Sequence, residues 1–219
     1  MARRATSSTP ETFQRIRGAA AFHRVVENLK QFVARKKERG AHHPSISLWM
    51  VAMRDNIHEL PALVDLAADL EIPEVYFQRL VYNGLGVAQK AQSLHGETEG
   101  QTAAFIEDAV QRGEARGVLL RASGATTPLE SLRMSEEARP WSRCQRPWTS
   151  TYLTAHGTVL PCCIAPFAHQ DFPGMILGNL REQSLDEIWR GERYEEFRRR
   201  LLSDEPHPCC KSCGVGWSL

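Results

Sequence analysis

The chain has 219 residues, of which 42% are hydrophobic and 24% charged, and its formal net charge is +1 at pH 7. This composition excludes a wholly disordered chain and is typical of a soluble globular protein with one sizeable core. So small a net charge argues against a nucleic-acid partner. No apolar run has the length of a transmembrane helix, and the basic N-terminus lacks the apolar segment of a signal peptide. We therefore expect a cytoplasmic protein without a membrane partner.

The first 40 residues predict two helices. Thr9-Pro10 is a typical helix start, and a short helix to about Arg17 should follow it. Apolar residues then recur every three or four positions from about Ala20 to Arg39, which predicts an amphipathic helix that Gly40 ends.

Three apolar segments, Ser45–Met53, Val75–Val81 and Val118–Ala122, predict strands that alternate with helices. Such alternation indicates successive βαβ units with a parallel sheet. Three units are too few for a closed barrel. The predicted fold class is therefore α/β, a partial (half) TIM-like parallel βα barrel, with its first strand buried on both faces and near an exposed edge.

Helices are expected between these strands. Asn56, with Glu59 three residues later, predicts a capping box that opens a helix through Leu70. Thr102–Arg116 predicts another amphipathic helix, which Gly117 closes.

All six cysteines lie in the last third of the chain: Cys144, Cys162, Cys163, Cys209, Cys210 and Cys213. In a compartment that keeps thiols reduced, this clustering favours metal ligation over disulfides. Cys210-x2-Cys213 brings two thiolates close enough to bind one centre. The region therefore predicts an iron–sulfur cluster or a structural zinc.

A second, smaller domain is expected around these cysteines. We predict domains at residues 1–125 and 141–219, joined by a linker at 126–140. Thr149–Thr154 and Thr158–Leu160 predict a β-hairpin, whose turn contains Gly157. After a turn at residues 177–180, Ser184 and Glu187 predict a capping box that opens one helix to Leu201.

Several motifs of this domain together resemble the SPASM domain of radical S-adenosylmethionine enzymes, over about residues 140 to 215. They are Cys144-x12-Gly157-x4-Cys162, a Gly-Asn-Leu turn, Ser184-Leu-x-Glu-Ile-Trp189, Phe197-Arg198 and Cys210-x2-Cys213. Residues 11–18 and 53–61 are similar to the second half of the barrel in the same family.

The resemblance implies one auxiliary 4Fe-4S cluster, with Cys144, Cys162, Cys210 and Cys213 as ligands. Register with the family favours Cys162 over Cys163, and the C-x2-C spacing favours Cys210 over Cys209. The resemblance makes the two remaining thiols neighbours of the ligands. A cluster with four protein ligands has no open site for substrate, so electron transfer or structural support is its expected role.

The chain departs from the family at the radical-generating site. It contains no C-x3-C-x2-C, which in the family holds the catalytic cluster, and no substitute for the glycine-rich motif that meets the methionyl amine. S-adenosylmethionine is therefore not expected to bind productively to this chain alone. The expected partner is a missing N-terminal barrel half or an intact enzyme, and the expected substrate a peptide, protein or small molecule.

The competing hypothesis is a non-catalytic four-cysteine module, with iron–sulfur or zinc, that serves structure or partner binding. The 17 residues between Cys144 and Cys162 favour the cluster, because zinc knuckles present two close pairs. His156 and His169 are weaker zinc candidates, since loop histidines are more often surface residues.

Three further polar residues, Asp55, Gln78 and Arg79, lie at or near strand ends, where barrel enzymes place active groups. Ordinary salt bridging explains them equally well. The tryptophans near the cysteines are expected to pack around the site: Trp141, Trp148, Trp189 and Trp217.

Overall fold

The computed structural model describes residues 7–80, 86–124, 126–133, 138–167 and 171–211. They form two compact units, one within Met1–Leu80 and Ala91–Met134, the other within Val81–Lys90 and Ser135–Leu219. The helices are α1 (Pro10–Arg17), α2 (Phe22–Glu38), α3 (Leu60–Asp69), α4 (Gly100–Arg116), α5 (Arg146–Thr149), α6 (Leu185–Arg190), α7 (Glu192–Leu201) and α8 (Pro208–Lys211). The strands are β1 (Leu48–Ala52), β2 (Glu74–Arg79), β3 (Leu119–Ala122), β4 (Tyr152–Leu153), β5 (Thr158–Leu160) and β6 (Gly178–Asn179).

The first unit contains a parallel three-stranded sheet in the order β1-β2-β3. Leu48 stands opposite Val75, and Glu74 opposite Leu119. Helix α3 connects β1 to β2, and α4 connects β2 to β3, so the chain makes two successive βαβ crossovers. The predicted α/β class is confirmed.

Strand β1 buries one face more completely than the other. Leu48, Met50 and Ala52 have no exposed surface, whereas Trp49 and Val51 are half-buried. The Trp49 ring stacks on that of Tyr76 in β2, with 4.2 Å between centroids. The prediction that this strand is buried on both faces is therefore wrong for the face that carries Trp49 and Val51, which are only half-buried.

The start of α1 matches its prediction, whereas the capping box at Asn56 was predicted wrongly. Thr9 Oγ1 accepts from the backbone N–H of Thr12, and Pro10 occupies the first turn. The Asn56 side chain caps no helix. It accepts from the Met53 N–H at 2.8 Å and donates to the Val51 carbonyl at 2.9 Å, which fixes the turn after β1.

The Glu59 carboxylate connects this turn to the start of α1. It is only 5% exposed and accepts from the N–H groups of Ser8 and Thr9 at 2.7 and 3.2 Å, and from Thr9 Oγ1 at 2.8 Å. Burial alone would raise the pKa of Glu59, but hydrogen bonds from Thr12, Thr9 and Ser8 together hold it below its ordinary value.

Residues 126–133, which fall in the predicted linker, pack onto the first unit. Leu132 is fully buried in its core, and Ser131 is 4% exposed. Ser131 Oγ donates to the Pro128 carbonyl at 2.6 Å, so a local turn satisfies the buried hydroxyl.

The second unit contains an antiparallel sheet in the order β4-β5-β6. The predicted hairpin is present, with Gly157 at φ +83° in its turn, but Thr149 belongs to α5 rather than to the first strand. Residues 178–179, predicted as part of a turn, pair with β5 as a short third strand. A Cβ on Gly178 would lie 2.7 Å from Cγ1 of Ile188, so the close approach of α6 to this strand needs a glycine.

The helix predicted from Ser184 to Leu201 is two helices. Its capping box is confirmed, because Ser184 Oγ accepts from the Glu187 N–H while the Glu187 carboxylate accepts from the Ser184 N–H. Gly191 then adopts an extended conformation (φ −73°, ψ 158°) that ends α6 and begins α7. The periodicity continues through this break, which is why one helix was predicted.

Candidate metal centre

Five of the six cysteines lie in described segments of the second unit. Cys144 follows a 3-10 turn and precedes α5, Cys162 and Cys163 follow β5, and Cys209 and Cys210 lie in α8. Cys213 and His169, both named as candidates from the sequence, lie outside the described residues. None of the five described cysteines forms a disulfide.

Cys144 and Cys210 share one apolar environment. Both pack against the small apolar cluster that Trp141 and Leu201 form. The Trp141 indole N–H donates to the Ser203 carbonyl at 3.1 Å, which ties the turn before Cys144 to the chain just after α7. Two cysteines 66 positions apart are thereby brought against the same apolar cluster.

Cys210 also packs against a second apolar cluster, together with Cys162 and Cys209. This cluster forms the core of the second unit, and Val159, Tyr194 and Phe197 belong to it. Cys210 thus packs against both the core that Cys162 contacts and the Trp141–Leu201 cluster that Cys144 contacts. The thiols of three separate chain segments converge on one region.

Backbone N–H groups point at two of these sulfurs. Cys144 accepts from the N–H of Arg146, and Cys162 accepts from the N–H groups of Ile164 and Ala165. Hydrogen bonds of this kind lower the pKa of a thiol, yet burial outweighs them and raises the pKa of both Cys144 and Cys162. The peptide groups are therefore positioned to stabilise thiolates that a metal would hold deprotonated.

Cys209 and Cys163 differ in their surroundings. Burial, followed by the neighbouring Cys162, raises the pKa of Cys209 to about 11. Cys163 is exposed, and its sulfur accepts from Nη1 of Arg146 at 3.1 Å. The positive charge of Arg146 opposes the rise that burial causes in the pKa of Cys144 and Cys162, so one guanidinium lies near three thiols.

Two other side chains brace the site. The Arg198 guanidinium lies over the rings of Trp189 and Tyr194, 4.4 and 4.1 Å from their centroids, and its Nε donates to the Pro147 carbonyl at 2.9 Å. His207, 2% exposed, accepts the Cys209 N–H at Nδ1 (3.1 Å), and its Nε2 lies 2.8 Å from the Asp171 carbonyl. A backbone N–H can only donate, so Nδ1 accepts and Nε2 carries the proton.

The remaining sequence candidates lie elsewhere. His156 is exposed in the hairpin turn. Asp55 is exposed after β1, whereas Arg79 is buried at the end of β2, where burial lowers its pKa to about 9. Sequence reasoning missed Arg146 and His207 as neighbours of the thiols, because neither belongs to a ligand-type spacing.

The surroundings of the described thiols fit those of an iron–sulfur cluster. Among the described residues, no three His, Cys, Asp or Glu side chains are grouped as ligands of a single metal ion. In a four-iron cluster the four thiolates bind different irons, so their sulfurs stand farther apart. Converging half-buried thiols with N–H donors to sulfur fit that requirement.

Comparison with known proteins defines the class of the second unit. Residues 144–214 match the family model of the SPASM domain, an iron–sulfur cluster-binding domain. The resemblance to radical S-adenosylmethionine enzymes that carry this domain, predicted from the motifs, is confirmed.

The relatives are similar to the chain over most of its length. The PqqA peptide cyclase of Xanthomonas euvesicatoria pv. vesicatoria is 24% identical over 201 residues, which are 90% of this chain and 50% of that protein. The PqqA peptide cyclase of Methylorubrum extorquens (strain PA1) is 26% identical over 186 residues, 84% of this chain and 44% of that protein. The chain thus spans about half the length of the curated relatives it matches.

Solved structures confirm the fold. SuiB of Streptococcus suis, bound to precursor peptide SuiA, superposes with a TM-score of 0.61 at 16% identity, over 90% of this chain and 43% of SuiB. The complex of SuiB with S-adenosylmethionine gives a TM-score of 0.59 at 16% identity, over 98% of this chain and 48% of SuiB. Within the described ranges, no helix has the length and apolarity needed to cross a membrane.

Proposed function

We propose that the second unit holds one auxiliary 4Fe-4S cluster, with Cys144, Cys162, Cys210 and Cys213 as ligands. The observation that carries the proposal is the convergence of Cys144, Cys162 and Cys210 from three segments, with peptide N–H groups aimed at the first two sulfurs. The C-x2-C spacing supplies Cys213 as the fourth ligand.

The neighbours of each cysteine support the choice within the two adjacent pairs. Cys162 is half-buried and receives two backbone N–H groups, whereas Cys163 is exposed beside Arg146. Cys210 packs against both apolar clusters, the one that Cys162 contacts and the one that Cys144 contacts. Among the described residues, Cys209 packs against the cluster that Cys162 contacts.

When bound, such a cluster accepts and donates single electrons. The chain's own residues exclude water and set its surroundings. Trp141 and Leu201 cover one side, and the N–H groups of Arg146, Ile164 and Ala165 stabilise charge on the sulfurs.

We further propose that this chain acts as the C-terminal part of a radical S-adenosylmethionine oxidoreductase that modifies a peptide. Two groups of similar proteins support a peptide substrate by name, the PqqA peptide cyclases and SuiB with its precursor peptide SuiA. The edge of β1 that faces away from β2 is the proposed contact for the preceding barrel half, whether it belongs to the same polypeptide or to a partner.

Metal analysis of protein purified without oxygen tests the cluster assignment. We expect about four irons and four sulfides per chain. Stoichiometric zinc without sulfide would refute the cluster and favour the four-cysteine zinc module.

Serine substitutions test the ligand set with matched neighbours as controls. Cys144→Ser, Cys162→Ser and Cys210→Ser should lose most of the iron, because each removes a ligand. Cys163→Ser and Cys209→Ser should keep it. If Cys163→Ser loses iron while Cys162→Ser keeps it, Cys163 is the ligand of that pair. The same comparison decides between Cys209 and Cys210.

A separate assay tests the proposal that this chain alone does not cleave S-adenosylmethionine. Because the chain contains no C-x3-C-x2-C, we expect no 5′-deoxyadenosine from S-adenosylmethionine and a strong reductant. Its formation by clean protein would contradict the proposal that a further barrel half is required.

A further inference from the structure

A cleft on the second unit combines an apolar floor with a basic rim. It has a volume of about 420 Å³ and lies against one side of α7. Ile176, Leu177 and Phe197 line its floor, while Arg193 and Arg200 stand at its rim. We call this feature the α7 cleft. All of its lining belongs to the second unit.

The rim arginines lie on one side of α7, seven residues apart, so they are separated by about 10.5 Å along the helix axis. Both are exposed, and within the described ranges neither forms an ion pair with a carboxylate. Arg200 donates to the Glu205 carbonyl, at 3.4 Å. The one carboxylate in the lining, Glu196, is already paired with Arg199. Within the described residues, the cleft therefore presents two guanidinium groups that pair with no carboxylate.

The chemistry of the cleft selects its occupant. A floor of aliphatic and aromatic side chains favours a bulky apolar group, and guanidinium groups favour carboxylates, which they bind with two parallel hydrogen bonds. Nucleic acid is a poor fit, because the chain's net charge of +1 offers no wider basic surface. An extended peptide advances about 3.3 Å per residue, so acidic residues three or four positions apart reach both arginines.

We propose that the α7 cleft docks an acidic peptide segment. One bulky apolar side chain enters the cleft, and a carboxylate on either side of it pairs with Arg193 and Arg200. The inference rests on the proposed function, because it assigns this segment to the peptide substrate.

The cleft is connected directly to the cysteine-bearing segment. His207 lines the cleft, and its two ring nitrogens bind the Asp171 carbonyl and the Cys209 N–H. Cys210 follows immediately in α8. A peptide in the α7 cleft would therefore lie next to the segment that carries Cys209 and the proposed ligand Cys210.

Fluorescence anisotropy with defined peptides tests the proposal on the complete chain, purified without oxygen. The probe is dye-labelled Gly-Glu-Ala-Leu-Ala-Glu-Gly, and the matched peptide carries glutamine at both glutamate positions. We expect the glutamate peptide to bind about tenfold more tightly, with weaker binding as salt rises. Equal affinities, or no binding of the glutamate peptide, would overturn the proposal.

Charge-reversal variants locate the site. Arg193→Glu and Arg200→Glu should each weaken binding of the glutamate peptide about tenfold, because repulsion replaces attraction. Arg190→Glu is the control, since Arg190 is exposed on α6, pairs with Asp186 and does not line the cleft. Unchanged binding by the Arg193→Glu/Arg200→Glu protein would overturn the proposal.

Two further measurements separate this inference from the proposed function. Iron and sulfide are quantified in the same samples, so a cluster-loaded protein that binds no peptide refutes the docking site alone. Peptide binding by protein that holds zinc instead supports the docking site while refuting the cluster. Sedimentation velocity tests another occupant, because a dimer dissolved by the double variant would assign the cleft to a second copy and overturn the proposal.

Discussion

Arg146 brings a positive charge next to three thiols of the second unit. Its Nη1 donates to Cys163 Sγ at 3.1 Å. Burial raises the pKa of Cys144 and Cys162, and the charge of Arg146 opposes that rise. A nearby cation favours the more negative, reduced state of a cluster. Arg146 would therefore raise the reduction potential of the proposed cluster without being one of its ligands.

Removal of this charge should lower the reduction potential of the proposed cluster. For Arg146→Gln we expect the reduced-to-oxidised ratio at a fixed potential to fall about tenfold, which is about 59 mV for a one-electron couple. A redox titration followed by electron paramagnetic resonance measures it. Arg146→Lys should stay close to the unmodified protein, and Arg190→Gln is the control. Equal potentials with equal iron content would contradict this expectation.

The first unit should become less stable in acid, because Glu59 then loses its charge. Its folded-state pKa lies below the ordinary value of 4.5, so its stabilising contribution is present above that pH and is lost as pH falls through the folded-state pKa. Glu59→Gln should lower the free energy of unfolding by about 1–3 kcal/mol at pH 7. In this variant the free energy of unfolding should also fall less steeply as the pH is lowered. Urea unfolding at neutral and acid pH measures both effects.

Glu107→Gln is the matched control for Glu59, because Glu107 is exposed on α4. It should leave the urea midpoint nearly unchanged at both pH values. If the free energy of unfolding falls with pH as steeply in Glu59→Gln as in the unmodified protein, the pH dependence belongs to another carboxylate.

Individual residues were predictable where their chemistry and spacing coincide. The cysteines stood out because thiols cluster for few reasons, and Thr9 and Ser184 cap helices as their sequence context indicates. Arg146 was not predictable, because its role depends on a sulfur 17 positions away. Glu59 was misjudged for a similar reason, since its partners Ser8 and Thr9 lie about 50 positions upstream.

At the level of elements, α6 packs directly on β6 at a glycine. Gly178→Ala should lower the free energy of unfolding by about 1–3 kcal/mol, because the new Cβ would lie 2.7 Å from Cγ1 of Ile188. Thermal or urea unfolding measures the loss. Ile188→Ala removes the clashing atoms, so the double variant should lose less than the sum of the two single variants. Simple additivity would show that the contact is not the cause.

Elements were predictable where a periodic pattern was long enough. The βαβ order of the first unit follows from apolar runs and amphipathic stripes, and it is confirmed. Two-residue strands such as β6 carry no period of their own, and their pairing depends on β5. The break at Gly191 also escaped prediction, because the apolar spacing on either side of it stays in phase with one helix.

At the scale of the whole molecule, the sheet of the first unit has β1 and β3 at its edges within the described residues. On the edge that faces away from β2, the backbone of β1 presents N–H and C=O groups to which a further strand could bond. We expect the isolated chain to self-associate through this edge and to do so less when a preceding barrel half is co-expressed. Sedimentation velocity measures the association.

Lysine substitutions distinguish the two edges. Val51→Lys in β1 should reduce self-association, because a charge on an edge strand opposes strand addition. Leu119→Lys, at the 58%-exposed first residue of β3, is the matched control and should change it little. A greater effect of Leu119→Lys would place the contact at β3.

The partial barrel was predictable in class because local periodicity specifies βαβ units. What covers its outer edge was not, because strand addition depends on residues that are distant or belong to another chain. The convergence of three cysteine segments likewise depends on the packing of Trp141, Leu201 and the second core, which no local spacing encodes.

The N–H groups of Arg146 and Ile164 point at the sulfurs of Cys144 and Cys162. Their hydrogens can therefore serve as isotope labels for the site. In heavy water, these two amides would keep their protons for as long as the sulfurs are held, and would exchange once the sulfurs are released. Mass spectrometry of peptides that contain residues 146 and 164 would then date the loss of a cluster from the protein backbone itself, without any signal from iron.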